Sequence, residues 1–251
     1  MKAYLLAAGY ATRMYPLTRE RPKPLLEVAG RPILAHILDR VLELEGLSEI
    51  VVIANDRFIE PFERFAAGLD LDVPVRVLND GSRDDDDKLG AIGDLAFALG
   101  EVPVAGEDWL VAAGDNLLAF DLRTLQRAFR AGAGAPMLAV RETPLQSPSP
   151  YNEVTVDGQG RVLRFREKPA DPASPLAAIA LYFLPARAAE LLPHYLAEGG
   201  NPDAPGHFIA WLVEQVEVRA AALPGGWFDI GSLEGLAHAR EHFRPAARQR
   251  R

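Results

Sequence analysis

The chain contains no cysteine, which excludes disulfides, thiolate nucleophiles and cysteine-type zinc sites together. Lysine is scarce as well. Only Lys2, Lys23, Lys88 and Lys168 occur among 27 cationic side chains, so arginine is used almost wherever a surface cation will do. No window supplies the ~18 apolar residues of a membrane span, and Met1–Leu6 runs straight into an apolar strand pattern without a basic leader. A cytoplasmic protein with no membrane partner is expected. Excess positive charge is also missing: 27 Lys+Arg stand against 35 Asp+Glu, a net charge of −8, and no nucleic-acid partner is expected. Neither G-x-G-x-x-G nor G-K-[ST] is present, so neither dinucleotide nor P-loop chemistry is licensed. There is no internal repeat.

What is present is the composition of a globular protein: 251 residues, 49% hydrophobic and 25% charged. Strand-like runs alternate with helical patterns through Lys2–Ala7, Ile33–Leu44, Ile50–Ala54, Phe58–Phe65, Val73–Leu78, Ala91–Leu99, Trp109–Ala113 and Leu122–Phe129, which predicts βαβ units around a parallel sheet. Ile33, Ile37 and Val41 recur at helical spacing and form one apolar stripe. After Pro136–Val140 the texture turns antiparallel, with Glu153–Val156, a turn at Asp157-Gly158, Val162–Arg166 and Leu176–Leu184. Helices near Pro185–Leu196 and Gly206–Val213, a strand near Val216–Ala220 and a helix after Ser232 complete the pattern. The expectation is one α/β domain over residues 1–243, a Rossmann-like three-layer α/β/α fold with a mostly parallel central sheet and a small antiparallel lid. Its first part, to about 135, and its second, 136–243, would divide the binding work, and the four-arginine tail 244–251 reads as a solvated terminus.

Chemistry concentrates after the first strand, in Ala7-Ala8-Gly9-Tyr10-Ala11-Thr12-Arg13-Met14-Tyr15-Pro16-Leu17-Thr18 and the following Arg21-Pro22-Lys23-Pro24. Ala7, Ala8 and Gly9 let backbone approach a ligand closely, successive loop N–H groups can cradle an anion, and two cations enter the loop, so phosphate is the natural guest. Asp115 follows the apolar strand Trp109–Ala113 and so falls at a carboxyl end of the sheet, where ligands of such folds bind. Asp229 sits in the apolar run Trp227–Ile230, where an unpaired carboxylate would be costly. A turn or cap role for Asp115 and a buried ion pair for Asp229 are the structural alternatives.

These residues carry a resemblance. Gly9, Thr12, Arg13, Pro16, Thr18, Pro22 and Lys23 match, position for position, the G-x-x-T-R-x-x-P-x-T-x-x-x-P-K run of the sugar nucleotidyltransferases. Gly114-Asp115-Asn116, Glu167-Lys168-Pro169 and Trp227-Phe228-Asp229-Ile230-Gly231 follow in that family's order, so the likeness covers nearly the whole chain. It implies joining of a nucleoside triphosphate to a sugar 1-phosphate with release of pyrophosphate. That chemistry brings two anions together, so positioning and charge neutralisation must do the catalytic work. By resemblance, Arg13, Lys23 and Asp115 are catalytic, and Ala7, Ala8, Gly9, Thr12, Arg13 and Lys23 take the nucleotide. Asn79, Gly81 and Gly90 lie where the base is read, Asn152, Glu167, Lys168 and Ala180 line the sugar-phosphate site, and Asp115 with Asp229 holds Mg²⁺. Two of the four lysines fall on these positions.

The chain departs from the family pattern in two places: Tyr151-Asn152 stands where Tyr-Gly is usual, and Ala180 stands where a glycine precedes the aromatic Tyr182. Both add volume beside the acceptor. Two alternatives therefore stay open, a cytidylyltransferase acting on a non-sugar acceptor such as phosphocholine and a catalytically silent regulatory subunit. Neither monomer nor homo-oligomer is indicated. The run Asp84–Asp87 reads as a solvated loop, and the His238/His242 spacing as a weak zinc signal because H-A-R-E-H is not H-E-x-x-H.

Overall fold

The first half of the chain runs through β1 (Lys2–Leu6), the hairpin β2 (Glu27–Val28) and β3 (Arg31–Pro32), α1 (Ile33–Val41), β4 (Glu49–Ala54), α2 (Ile59–Ala67), β5 (Val75–Asn79), α3 (Ala91–Glu101), β6 (Trp109–Ala113), β7 (Asn116–Ala119) and α4 (Arg123–Ala131). The second half comprises β8 (Met137–Glu142), β9 (Asn152–Val156), β10 (Val162–Arg166), β11 (Leu176–Leu184), α5 (Ala188–Ala197), α6 (Pro205–Gln215), β12 (Arg219–Ala222), β13 (Gly226–Asp229) and α7 (Leu233–His242). The computed structural model describes residues 1–245, so 246–251 of the basic tail lie outside the described residues.

A nine-stranded sheet carries the fold, and its centre is parallel in the order β5-β4-β1-β6. Leu6 at the end of β1 lies beside Ile53 on one side and Ala113 on the other, so three strands end together. β11 then joins antiparallel to β6, β8 antiparallel to β11, and β12 parallel to β8. Because Leu181 pairs with Ala112, the first residues of β11 run on past the carboxyl end of β6, where Ala177 and Ala178 pair with β9, which in turn pairs with β10. The antiparallel region thus grows out of the same sheet and overhangs the ends of the parallel strands.

Strand alternation sorts the side chains into two layers. Ala3 and Leu5 of β1, and Ile50, Val52 and Ala54 of β4, pack with α1, α4 and α7 and with Phe58 and Phe62 beside them. Tyr4, Val51 and Ile53 point the other way and pack with α3, α5 and α6. The result is the expected three-layer α/β/α arrangement. Each fully buried Leu, Ile or Phe in these layers contributes about 1.5–3 kcal/mol of transfer free energy, which makes the sheet a rigid base for loops at its carboxyl edge.

Several sequence-predicted segments coincide with the observed ones, among them Trp109–Ala113, Val162–Arg166 and Leu176–Leu184. Ser232 caps α7 by accepting from the Gly235 N–H at 3.0 Å. The strand expected from Val73 begins at Val75, after Pro74, which has no N–H to give a ladder. The strand expected at Val216–Ala220 sits at Arg219–Ala222 because α6 continues to Gln215.

Candidate active site

Where β1, β4 and β6 end together, a cleft of about 440 Å³ opens between the loop after β1, the start of α3, the β9–β11 overhang and the start of α6. Ala7, Ala8 and Gly9 line its floor. A side chain at Gly9 would meet no protein atom within 4 Å, so the space above that backbone is open to a ligand. The loop is held from behind: Asn55 Nδ2 donates to the Ala8 carbonyl at 2.7 Å, and the buried Thr18 hydroxyl donates to the Ala11 carbonyl at 2.8 Å. Gly114 is required by the close approach of the chain leaving β6 to the end of β1, since a Cβ there would lie 2.8 Å from the Leu6 carbonyl oxygen.

Just past Gly114, Lys23 Nζ donates to Asp115 Oδ2, joining the turn after β1 to the turn after β6. β7 leaves Asp115 and pairs antiparallel with β13, with Asn116 opposite Asp229. This ribbon brings together two aspartates from distant parts of the chain. Burial pushes the Asp229 carboxyl up to about 6, the neighbouring Asp115 adds to the rise, and Lys23 and Lys168 pull against it. Trp227 Nε1 donates to Asn116 Oδ1 at 2.9 Å, and its ring meets Tyr151 edge-on at 5.2 Å, which closes one side of the cluster.

On the overhang, Asn152 opens β9 while Glu167 and Lys168 follow β10. Lys168 has φ of 37°, an unusual left-handed position for a side chain of its size, and its N–H donates to Asn152 Oδ1 at 3.3 Å. Its ammonium remains more than half exposed. Glu167 does not pair with the adjacent Arg166, which instead binds Glu153 and Asp171. Burial raises the Glu167 carboxyl above its ordinary range, and its Oε2 is sealed from solvent without a donor. The buried Tyr182 hydroxyl, also without a donor, faces the same carboxyl. Gly206 near the start of α6 leaves room for the Glu167 carboxyl, because a Cβ would fall 1.6 Å from Glu167 Oε2. Ala180 lines the same cleft.

The cleft therefore brings together Ala7, Ala8, Gly9, Lys23, Gly90, Asp115, Asn152, Glu167, Lys168, Ala180 and Asp229. Thr12 and Arg13 lie on a single exposed 3-10 turn outside its lining, and Asn79 and Gly81 form a turn behind it. There Asn79 donates to Asp56 at 2.8 Å and accepts from the Gly81 N–H at 2.9 Å. Gly90 has φ of 79° and a backbone neighbour, the Pro202 carbonyl oxygen, 2.4 Å from where a Cβ would be. Sequence reasoning did not single out Asp94 or Gly206. A first-turn aspartate is an ordinary helix feature, and nothing local to Gly206 announces Glu167 against it.

The cluster fits a divalent cation by its donor set. Asp115 and Asp229 supply two hard oxygen ligands, and burial beside a like charge leaves Asp229 short of positive charge. Among the described residues no three His, Asp or Glu gather around one point, so the remaining positions would fall to water and phosphate oxygen.

The family model described as Nucleotidyl transferase matches residues 2–244. The low-salt glycan biosynthesis nucleotidyltransferase Agl11 of Haloferax volcanii is 29% identical over 96% of this chain and 65% of its own length. A glucose-1-phosphate thymidylyltransferase of Actinoplanes sp. is 30% identical over 97% of this chain and 78% of its own. The chain spans 54% and 61% of two further curated relatives. A crystal structure of UDP-glucose pyrophosphorylase complexed with UDP-glucose shares the fold with a TM-score of 0.81 at 19% identity, covering 96% of this chain and 97% of that one. Among the described residues no helix is long and apolar enough to cross a membrane.

Proposed function

Because the chain belongs to the nucleotidyl transferase family, we propose that it transfers a nucleotidyl group from a nucleoside triphosphate to a sugar 1-phosphate. An oxygen of the acceptor phosphate bonds to the α-phosphorus, the bond from that phosphorus to the bridging oxygen breaks, and pyrophosphate leaves. The observation that carries this reading is the meeting of Lys23, Asp115, Asp229 and the nearby Lys168 at the carboxyl ends of β1 and β6. Two separated lysines with two carboxylates between them suit a reaction in which two phosphates must approach one another.

In this reading residues 1–135 hold the nucleotide and 136–243 the acceptor. Lys23, fixed by Asp115, neutralises the α-phosphate, and Lys168 neutralises the acceptor phosphate from the overhang. The exposed fork of Arg13 swings over the triphosphate. Glu167, Asn152 and Tyr182 orient acceptor hydroxyls, since Glu167 Oε2 and the Tyr182 hydroxyl lack partners within the protein. Asp115 and Asp229 would hold Mg²⁺, which when bound supplies charge neutralisation at the phosphates. A crossed panel of triphosphates and phosphate acceptors, assayed for pyrophosphate release with and without Mg²⁺, tests the proposal. Release with at least one pair, abolished by chelation, is expected. A folded protein that releases none from any pair would overturn it.

A further inference from the structure

Beside Gly9 and Tyr10, away from Lys23 and Lys168, the cleft wall carries two facing carboxyl groups. Asp80 follows β5 and Asp94 lies in the first turn of α3, and both line the cleft. Asp94 is only 6% exposed, its Oδ1 is sealed from solvent with no N–H or O–H donor, and its neighbour across the gap is the Asp80 carboxyl. Among the described residues no cation acts on the Asp94 carboxyl. Lys88, the nearest lysine on this wall, is held between Asp85 and Asp203 at 3.3 and 3.2 Å.

The donors around the pair are already committed. Tyr10 and Ser82 are hydrogen-bonded through their hydroxyls at 3.0 Å, while the Ser82 hydroxyl and N–H both donate to Asp80 Oδ1 at 2.8 and 2.7 Å. The first N–H groups of α3 do not reach the cleft either, since Ala91 and Ile92 donate to the Asp203 and Pro202 carbonyls, each at 2.9 Å. Around the pair, the Tyr10 and Ser82 hydroxyls are engaged and Lys88 is turned to Asp85 and Asp203, so what Asp80 and Asp94 themselves present to the cleft is carboxyl oxygen. Burial first, and the facing Asp80 charge second, hold a proton on Asp94 above the ordinary carboxyl range, and the remaining oxygens of this wall call for N–H donors from a ligand.

We propose that Asp80 and Asp94 read the nucleobase and favour triphosphates whose base carries an exocyclic amino group, as in guanine, cytosine or adenine, over uracil and thymine. The inference rests on the nucleotidyl-transfer reading above. Uracil and thymine offer one imide N–H between two carbonyls, whose lone pairs would face carboxyl oxygens. An amino group offers two N–H bonds, and beside it stands a single ring-nitrogen lone pair in cytosine and adenine or the N1–H donor in guanine, so fewer lone pairs face the carboxyl oxygens than with the two carbonyls of an imide.

Equilibrium binding of ATP, CTP, GTP, UTP, dTTP and dGTP, without acceptor, tests this apart from turnover. At least one amino-bearing triphosphate should bind ~10-fold or more tightly than UTP and dTTP. Asp94→Asn, whose amide can donate to a base carbonyl, should narrow or reverse that ratio by improving UTP and dTTP, a change that simple loss of packing would not produce. Tighter binding of UTP or dTTP by the unaltered protein would overturn the proposal, as would a ratio that Asp94→Asn leaves unchanged. So would a loss in the variant that is equal for all ribonucleotides and absent for dGTP, because the pair would then be reading the ribose. Failure of every triphosphate to bind would overturn the nucleotidyl-transfer reading itself, and the inference with it.

Discussion

The two ends of the cleft handle charge in opposite ways. At the ends of β1 and β6, Lys23 is hydrogen-bonded to Asp115, Asp229 is buried next to them, and Lys168 acts on Asp229 from the overhang. Near α3, Asp94 and Asp80 face each other with no cation between them. The first arrangement alternates signs and can exchange its internal pairs for phosphate oxygens at little electrostatic cost. The second repels a phosphate and holds a proton instead, so it suits a neutral, hydrogen-bonding part of a ligand. In the proposed reading the contrast gives the cleft a direction, with phosphates at the sheet and a neutral group beside α3.

The strongest way to break that contrast is to remove a carboxylate from the sheet end. Asp115→Asn or Asp229→Asn keeps side-chain volume while deleting the charge, and turnover at saturating Mg²⁺ should fall by at least ~10²-fold, the scale of one lost preorganised electrostatic element. Thermal unfolding of both variants should remain cooperative. Near-normal turnover in either would take that aspartate out of the phosphate end.

A smaller effect is expected on the overhang, where Asn152 and Ala180 add atoms in the cleft. Asn152→Gly and Ala180→Gly should alter the ranking of phosphate acceptors by roughly 10–200-fold in kcat/KM, corresponding to about 1–3 kcal/mol of steric and desolvation difference. The ranking of triphosphates should stay put, because the proposed base site lies against α3. Glycine in a strand costs about 0.5–1 kcal/mol, so melting temperatures belong beside the kinetics. Acceptor rankings that do not move would show the added atoms to be packing alone.

Gly206→Ala probes the same wall from behind. The new methyl would overlap Glu167 Oε2, so the carboxylate must turn away from its place in the cleft. The acceptor KM should rise by about tenfold while the triphosphate KM changes little, the size of one hydrogen bond lost to a charged group. Equal rises in both constants would mean that Glu167 is not confined to the acceptor side.

Much of this site was legible in the sequence, for reasons particular to each residue. Ala7, Ala8, Gly9 and Lys23 fall within one short segment, and a strand followed by small residues and cations needs no tertiary information to suggest phosphate. Thr18 matched a motif, but its task, holding the Ala11 carbonyl, depends on how the loop folds back. In the sequence Asp115 and Asp229 are paired only through the family resemblance. Their meeting depends on the β7–β13 ribbon, and β7 is only four residues long, Asn-Leu-Leu-Ala, with no alternation to mark it. The charge character of the α3 wall was the least legible part. In the sequence Asp94 is an acidic residue in a helix's first turn, favourable there through the helix dipole, and its burial arises only because the loop after β5 folds Asp80 onto it.

The smallest expected effect concerns stability and isolates that wall without nucleotide. Burial, together with the facing Asp80, pushes the Asp94 carboxyl up to about 8, against an ordinary 3.8. Between those values the folded protein holds a proton on Asp94 that the unfolded chain has released, so the contribution of this group to stability is greatest below about pH 4, declines as pH rises toward 8, and then levels. Asp94→Asn cannot titrate and escapes this decline. The melting temperature of the variant minus that of the unaltered protein should therefore increase steadily from about pH 4 to about pH 8, with each kcal/mol of relieved penalty adding about 2–4 °C. Asp229, pushed up to about 6, contributes a similar slope to both proteins and cancels in the difference. Calorimetry of the two proteins in metal-free buffers would measure it. A difference that stays constant with pH would mean that Asp94 holds no extra proton, and the two ends of the cleft would then differ in sequence but not in charge.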